Sequence, residues 1–143
     1  MKLLSKNPLF FVFFPVALID GSITLLSQSQ AYWSGGSVNE ASPAYYFLLA
    51  SPWLYLLGAL VWFVFWYWAF TKLKEPVNLW LALFFLVAHS WGSSSWILRY
   101  LRDPSGYNVH NQVQVMEVWL VLIIYFALVT LNATFWFRKY LKR

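Results

Sequence analysis

The sequence predicts an all-α integral membrane protein: a four-helix bundle with both termini in the cytoplasm. Three observations carry that expectation. First, 61% of the 143 residues are hydrophobic and only 10% are charged, whereas a soluble domain carries roughly 25% charged residues. A sphere of this size could not hide so much apolar surface from water, so lipid must cover part of it. Second, four apolar stretches each approach or exceed the length of about 20 residues that a spanning helix requires. Third, the charge is sorted along the chain. Eight of the ten Lys and Arg residues fall at Lys2/Lys6, Lys72/Lys74 and Arg138/Lys139/Lys142/Arg143, separated by apolar runs.

The first helix is expected over residues 8–28. Its basic start and the Ser29-Gln30-Ala31 triplet imitate a signal peptide. The apolar run is longer than a signal core of about 7–15 residues and contains Asp20, so it reads as a spanning helix. Pro15 within it frees a carbonyl and bends the axis. The second helix, residues 44–71, opens at Ser42-Pro43, a capping residue followed by a first-turn proline. Pro52 near its start is expected to bend it in the same way. The third, residues 76–101, opens at Glu75-Pro76, and Asp103-Pro104-Ser105-Gly106 is a turn. The fourth covers residues 113–137. These runs are continuously apolar rather than alternating, which excludes barrel strands. With no repeat, linker or low-complexity tract, residues 1–143 form a single transmembrane domain.

Four spans bring both ends to one side. The three basic clusters mark that side as cytoplasmic. Residues 29–43 carry no Lys or Arg and lie outside. Arg99 and Arg102 are the external exceptions, with Asp103 offsetting Arg99 across one turn. Asn132-Ala133-Thr134 matches a glycosylation sequon but falls at the inner membrane edge and is discounted. The net charge of +5 resides at helix ends, so it indicates orientation rather than nucleic acid. Absence of cysteine excludes disulfides, thiolate metal sites and iron–sulfur clusters.

Chemistry-bearing residues concentrate in the outer half. Asp20 lies roughly 12 Å below the outer end of its helix and Glu117 roughly 6 Å. His89 is near the midplane, Arg99 at the outer end of the third helix, and Glu40 just before the second. Helical spacing puts Asp20, Thr24 and Ser27 on one face, His89, Gly92, Ser93 and Trp96 on another, and Gln114, Glu117, Val121 and Tyr125 on a third. A charge facing lipid costs at least about 2.5–3.5 kcal/mol. All three faces are therefore expected to turn inward around a polar pocket open to the outside. Its residues are Asp20, Thr24, Glu40, His89, Ser93, Arg99 and Glu117. Three occupations are open. Asp20, Glu40, His89 and Glu117 offer a divalent cation oxygen and imidazole ligands, although no pair has His-x3-His spacing. The same residues, with Arg99 and Arg102, suit a proton or an anionic lipid headgroup. Or Asp20, His89 and Glu117 bond across helices and only fix packing.

Asp20-x3-Thr24, Gly36 and Glu40-Ala41-Ser42-Pro43 resemble a family of uncharacterised small prokaryotic membrane proteins. That family carries Asp-x3-Thr on its first helix and Glu-x-Asn-Pro opening its second. Ser42 stands where the Asn would be and can still cap. The resemblance covers the first third of the chain. It implies a few-helix membrane protein with Asp20 and Glu40 as signature acids, and no activity.

The expected function is a non-catalytic accessory or assembly subunit of a larger membrane complex. Its partners are the bilayer and other membrane subunits, with no nucleic acid and no cofactor. The alternative is a lipid-headgroup- or metal-binding membrane enzyme using Asp20, Glu40, His89 and Glu117. A hydrolase would want a nucleophile beside a base, and only Ser93 or Ser94 near His89 imitates that.

Overall fold

A computed structural model of the chain describes residues 7–40, 42, 44–101 and 112–142. Among these there is no strand. The helices are α1 (Pro8–Leu26), α2 (Gln30–Trp33), α3 (Ala44–Ala50), α4 (Pro52–Phe70), α5 (Val77–Leu101) and α6 (Gln112–Leu141). Four of them, α1, α4, α5 and α6, are long and apolar enough to cross a membrane. The expected bases Lys2, Lys6, Arg102 and Arg143, the carboxylate of Asp103 and its turn, and the first-turn proline Pro43 lie outside the described residues.

The expected second helix is two helices. Pro52 has no N–H to donate and disfavours helical backbone in the residue before it. Ser51 is accordingly extended, at φ −175° and ψ 157°, and its hydroxyl accepts the Leu54 N–H. The proline therefore ends α3 and starts α4 rather than bending one continuous rod. The cap at Ser42 serves α3: its Oγ accepts the Ala44 N–H at 3.3 Å. Helix α6 runs four residues beyond its expected end. At 30 residues it is about 45 Å long, more than the hydrocarbon thickness of roughly 30 Å. Lys139 near its end lies over the Phe135 and Trp136 rings, at 4.2 and 4.4 Å.

Successive spans run in opposite directions. Asn7 before α1 donates to the Tyr67 carbonyl near the end of α4, at 2.8 Å. Asn7, Phe70, Asn78 and Tyr140 line one cleft of about 420 Å³. Lys72, Lys74, Arg138, Lys139 and Lys142 therefore share one end of the bundle, here the basic end. Residues 29–40, which include α2, together with α3 cover the opposite, loop end.

Helix α1 is the hub. Helices α4, α5 and α6 all pack on it, α5 most extensively. Small residues make that approach close: Ala17 and Ala82 are buried in the seam, which suits helix association in lipid, where burial from water contributes little. Toward the basic end the core is aromatic. Phe13 is fully buried and meets Phe70, Phe85 and Trp62 at ring separations of 5.3, 5.1 and 6.1 Å. Pro15 gives the Phe11 carbonyl no N–H, and α6 supplies the missing donor. Asn132 Nδ2 donates to the Phe11 and Val12 carbonyls, at 3.2 and 3.0 Å, which is how proline becomes tolerable in a membrane helix.

Candidate functional site

Asp20 and His89 meet. Asp20 lies six residues before the end of α1, roughly 9 Å along its axis. His89 is the middle residue of α5. Nδ1 of His89 lies 2.8 Å from Oδ2 of Asp20, and the two side chains keep 24% and 19% of their surface exposed. Glycine makes this approach possible. A Cβ on Gly92, one turn beyond His89, would stand 2.6 Å from Oδ1 and 2.9 Å from Oδ2 of Asp20. The carboxylate thus rests directly on the α5 backbone. The Trp62 ring of α4 meets the imidazole edge to face at 5.3 Å.

Hydroxyl groups brace the pair on both sides. Tyr55 of α4 donates to the Gly21 carbonyl at 3.0 Å. Thr24 is buried. Tyr125 of α6 and the fully buried Ser93 of α5 are 2.5 Å apart. Ser93 donates to the His89 carbonyl. One hydroxyl hydrogen serves one strong bond, so Tyr125 is the donor to Ser93. Ser93 thus spends its proton on the backbone rather than on the imidazole. Ser94 does the same with the Trp91 carbonyl.

The loop end is pinned over this centre. The buried Gln28 amide accepts the Asn39 N–H at 2.9 Å and donates to the Asn39 carbonyl at 3.1 Å. Tyr32 donates to the Leu48 carbonyl at 3.0 Å, and burial pushes its phenol above the ordinary value of 10.0. Glu40 accepts the Ser42 N–H at 2.7 Å, a local turn that leads into α3.

Two predicted members lie elsewhere. Glu117 is exposed on α6, with no hydrogen bond or ion pair among the described residues. The buried stripe of α6 is Val118, Leu122, Tyr125, Val129 and Ala133. At about 100° per residue, Glu117 sits roughly 80° away from Tyr125, and Val121 is likewise exposed. The grouping of Glu117 with Tyr125 therefore does not hold. Arg99 is exposed too, its guanidinium 5.3 Å from the Trp96 ring. Among the described residues no three His, Asp or Glu side chains come close enough to share a metal ion, so the set Asp20, Glu40, His89 and Glu117 is not assembled. The residues that sequence reasoning passed over are Tyr55, Gln28, Trp62 as a ring partner of His89, and Asn132. Each is a polar or amphipathic side chain inside or beside an apolar run, where its polar tip must find a partner.

No family model, curated protein or solved structure matches this chain, so the likeness to the small membrane family rests on Asp20, Thr24, Gly36 and the Glu40–Pro43 segment alone.

Proposed function

We propose that this chain is a non-catalytic accessory or assembly subunit of a larger complex in a prokaryotic cytoplasmic membrane, with both termini on the cytoplasmic side. The observation that supports it most is the fate of the candidate side chains. Among the described candidates only Asp20 and His89 pair, and their bond ties α1 to α5. Ser93 is bound to a carbonyl and to Tyr125, Glu117 and Arg99 face outward, and Glu40 holds a local turn. Acyl or glycosyl transfer needs groups that converge on one reacting atom, and here they diverge.

The surface fits this reading. Helix α4 buries only Tyr55, Ala69 and Phe70, and Leu57, Leu60, Val61, Val64 and Phe65 form an exposed apolar flank. The bilayer covers that flank, and a neighbouring spanning helix packs there. The orientation follows from basic residues gathering at one end.

Purification in mild detergent tests the reading. A larger membrane chain should co-purify at fixed stoichiometry, and photo-crosslinkers at Leu57 and Val64 should capture that same chain. A homogeneous free protein, with crosslinks to lipid alone, would overturn it. Reporter fusions after Arg143 and within residues 34–37 should report opposite sides.

A further inference from the structure

We propose that the cleft at the basic end of the bundle binds the headgroup of an anionic glycerophospholipid, a phosphodiester that carries a free hydroxyl. The inference does not depend on the subunit reading: a subunit could hold this lipid or lack it, and a free chain could hold it as well.

Depth comes first. Helix α1 has 19 residues, about 28 Å, close to the hydrocarbon thickness of roughly 30 Å. Its first turn therefore lies where acyl chains give way to headgroups. There Asn7, Leu9, Thr71, Leu73, Asn78 and Tyr140 line the cleft of about 420 Å³. Its wall carries polar capacity that the protein does not use. Asn7 is only 3% exposed. Its Nδ2 donates one hydrogen to the Tyr67 carbonyl. Its Oδ1 accepts none among the described residues, and the side chain does not cap α1. A buried amide oxygen in that condition is costly, and a ligand that relieves it must donate a hydrogen. Asn78 is buried too. It gives one amide hydrogen to the Leu73 carbonyl, and its Oδ1 accepts the Leu79 N–H. Each amide thus has a second hydrogen to offer an acceptor. Thr71 and Tyr140 spend their hydroxyl hydrogens on the Trp68 carbonyl and on Glu75.

Charge narrows the choice. Pro8 has no N–H and no side chain caps α1, so the Leu9 amide at the cleft has no helical acceptor, and the positive end of the helix dipole favours an anion. Lys72 and Lys74 flank Leu73 on the lining turn and are exposed. The neighbouring acid, Glu75, accepts the Tyr140 hydroxyl. Two cations stand against one carboxylate, which draws an anionic lipid. The common headgroups then separate by chemistry. A phosphodiester accepts hydrogen bonds and has none to donate. Choline adds no donor, so it leaves the Asn7 oxygen as it is. Ethanolamine adds a donor but sets an ammonium against the two lysines. Glycerol adds hydroxyl donors and keeps the headgroup negative. That combination meets the Asn7 oxygen, the Leu9 amide and the lysines together.

The test titrates the full chain in mild detergent with short-chain phosphatidylglycerol, phosphatidylethanolamine and phosphatidylcholine, and counts bound lipid by native mass spectrometry. One phosphatidylglycerol per chain should bind about tenfold or more tightly than phosphatidylcholine, the worth of one or two hydrogen bonds, with phosphatidylethanolamine between them. Leu73→Trp fills the cleft without removing a polar side chain and should abolish the preference. Asn7→Leu removes the unpaired oxygen and should abolish it too. If Asn7→Leu does not fold, Leu73→Trp, at a half-buried loop position, decides. Lys72→Gln with Lys74→Gln should bring phosphatidylglycerol and phosphatidylethanolamine closer together. Equal binding of phosphatidylglycerol and phosphatidylcholine by the parent chain overturns the proposal, as does a preference that survives Leu73→Trp. Glycerophosphoglycerol, the same headgroup without acyl chains, distinguishes a lipid from a soluble ligand. It should displace the lipid only at much higher concentration, and binding as tight as that of the lipid would overturn the lipid as occupant.

Discussion

Toward the basic end, Phe10, Phe13, Phe70, Phe85, Trp62 and Trp66 fill the space between helices with rings. Toward the loop end, the helices are joined by Asp20 to His89, Tyr55 to Gly21 and Tyr125 to Ser93, and the loop is tied down by Gln28 to Asn39. The contrast follows from the solvent. Lipid tails are as apolar as these rings, so association gains little by hiding them. What rings contribute is shape and dispersion, spread over many weak contacts. Directed bonds do the opposite: each fixes one distance and one rotation. The aromatic half sets how closely the helices pack, and the polar half sets their register.

Substitutions in each half should therefore fail in different ways. The largest effect is expected from Phe13→Ala, which empties a fully buried site at the meeting of α1, α4 and α5. It should cost about 3 kcal/mol, near the low end of soluble cores because the transfer share is missing in lipid. Reversible unfolding in mixed micelles measures it, and the Asp20–His89 bond should persist in the imidazole spectrum. Gly92→Ala should cost about 1–3 kcal/mol, as overpacking does. It must also displace the Asp20 carboxylate, whose oxygens stand where the new methyl would go, so here the imidazole spectrum should change. If both variants left the spectrum alike, the division between the halves would collapse.

Smaller changes sharpen the same contrast. Asn132→Leu adds apolar volume yet removes the donor that serves the Phe11 and Val12 carbonyls. A loss of about 1–2 kcal/mol is expected, and hydrogen exchange should rise around Pro15. Unchanged stability would show that the aromatic half needs no directed bond at all. Glu40→Gln should be the mildest, about 0.3–1 kcal/mol through the charge near the start of α3. A larger fall in detergent melting would mean that Glu40 organises the loop end beyond its bond to Ser42.

The spans were legible because they depend only on length and hydropathy. The Asp20–His89 pairing was legible in outline, because a membrane carboxylate needs a polar neighbour and His89 is the polar group of similar depth. Choosing His89 over Glu117 was beyond the sequence. Both satisfy the same argument, and only the rotation of α6, set by Val118, Leu122 and Val129, turns Glu117 away. The break at Pro52 was misjudged because a proline near a helix start bends or terminates according to the residue before it. Ser51 caps well enough to begin a new helix. Asn132 was weighed only as a glycosylation sequon, although Pro15 had already announced a carbonyl in need of a donor. The two lie more than a hundred residues apart, so no local pattern links them.

That separation matters during synthesis. Asn132 follows Phe11 by 121 residues. At about 5–20 residues per second, roughly 6 to 24 seconds pass between translation of one and the other. Through that interval α1 sits in the bilayer without the Asn132 donor for its Phe11 and Val12 carbonyls, while α4 and α5 insert around it. The central helix of the bundle is thus provisional until the last span arrives. Ribosome-stalled chains ending before α6 should be where membrane proteases find α1 most easily.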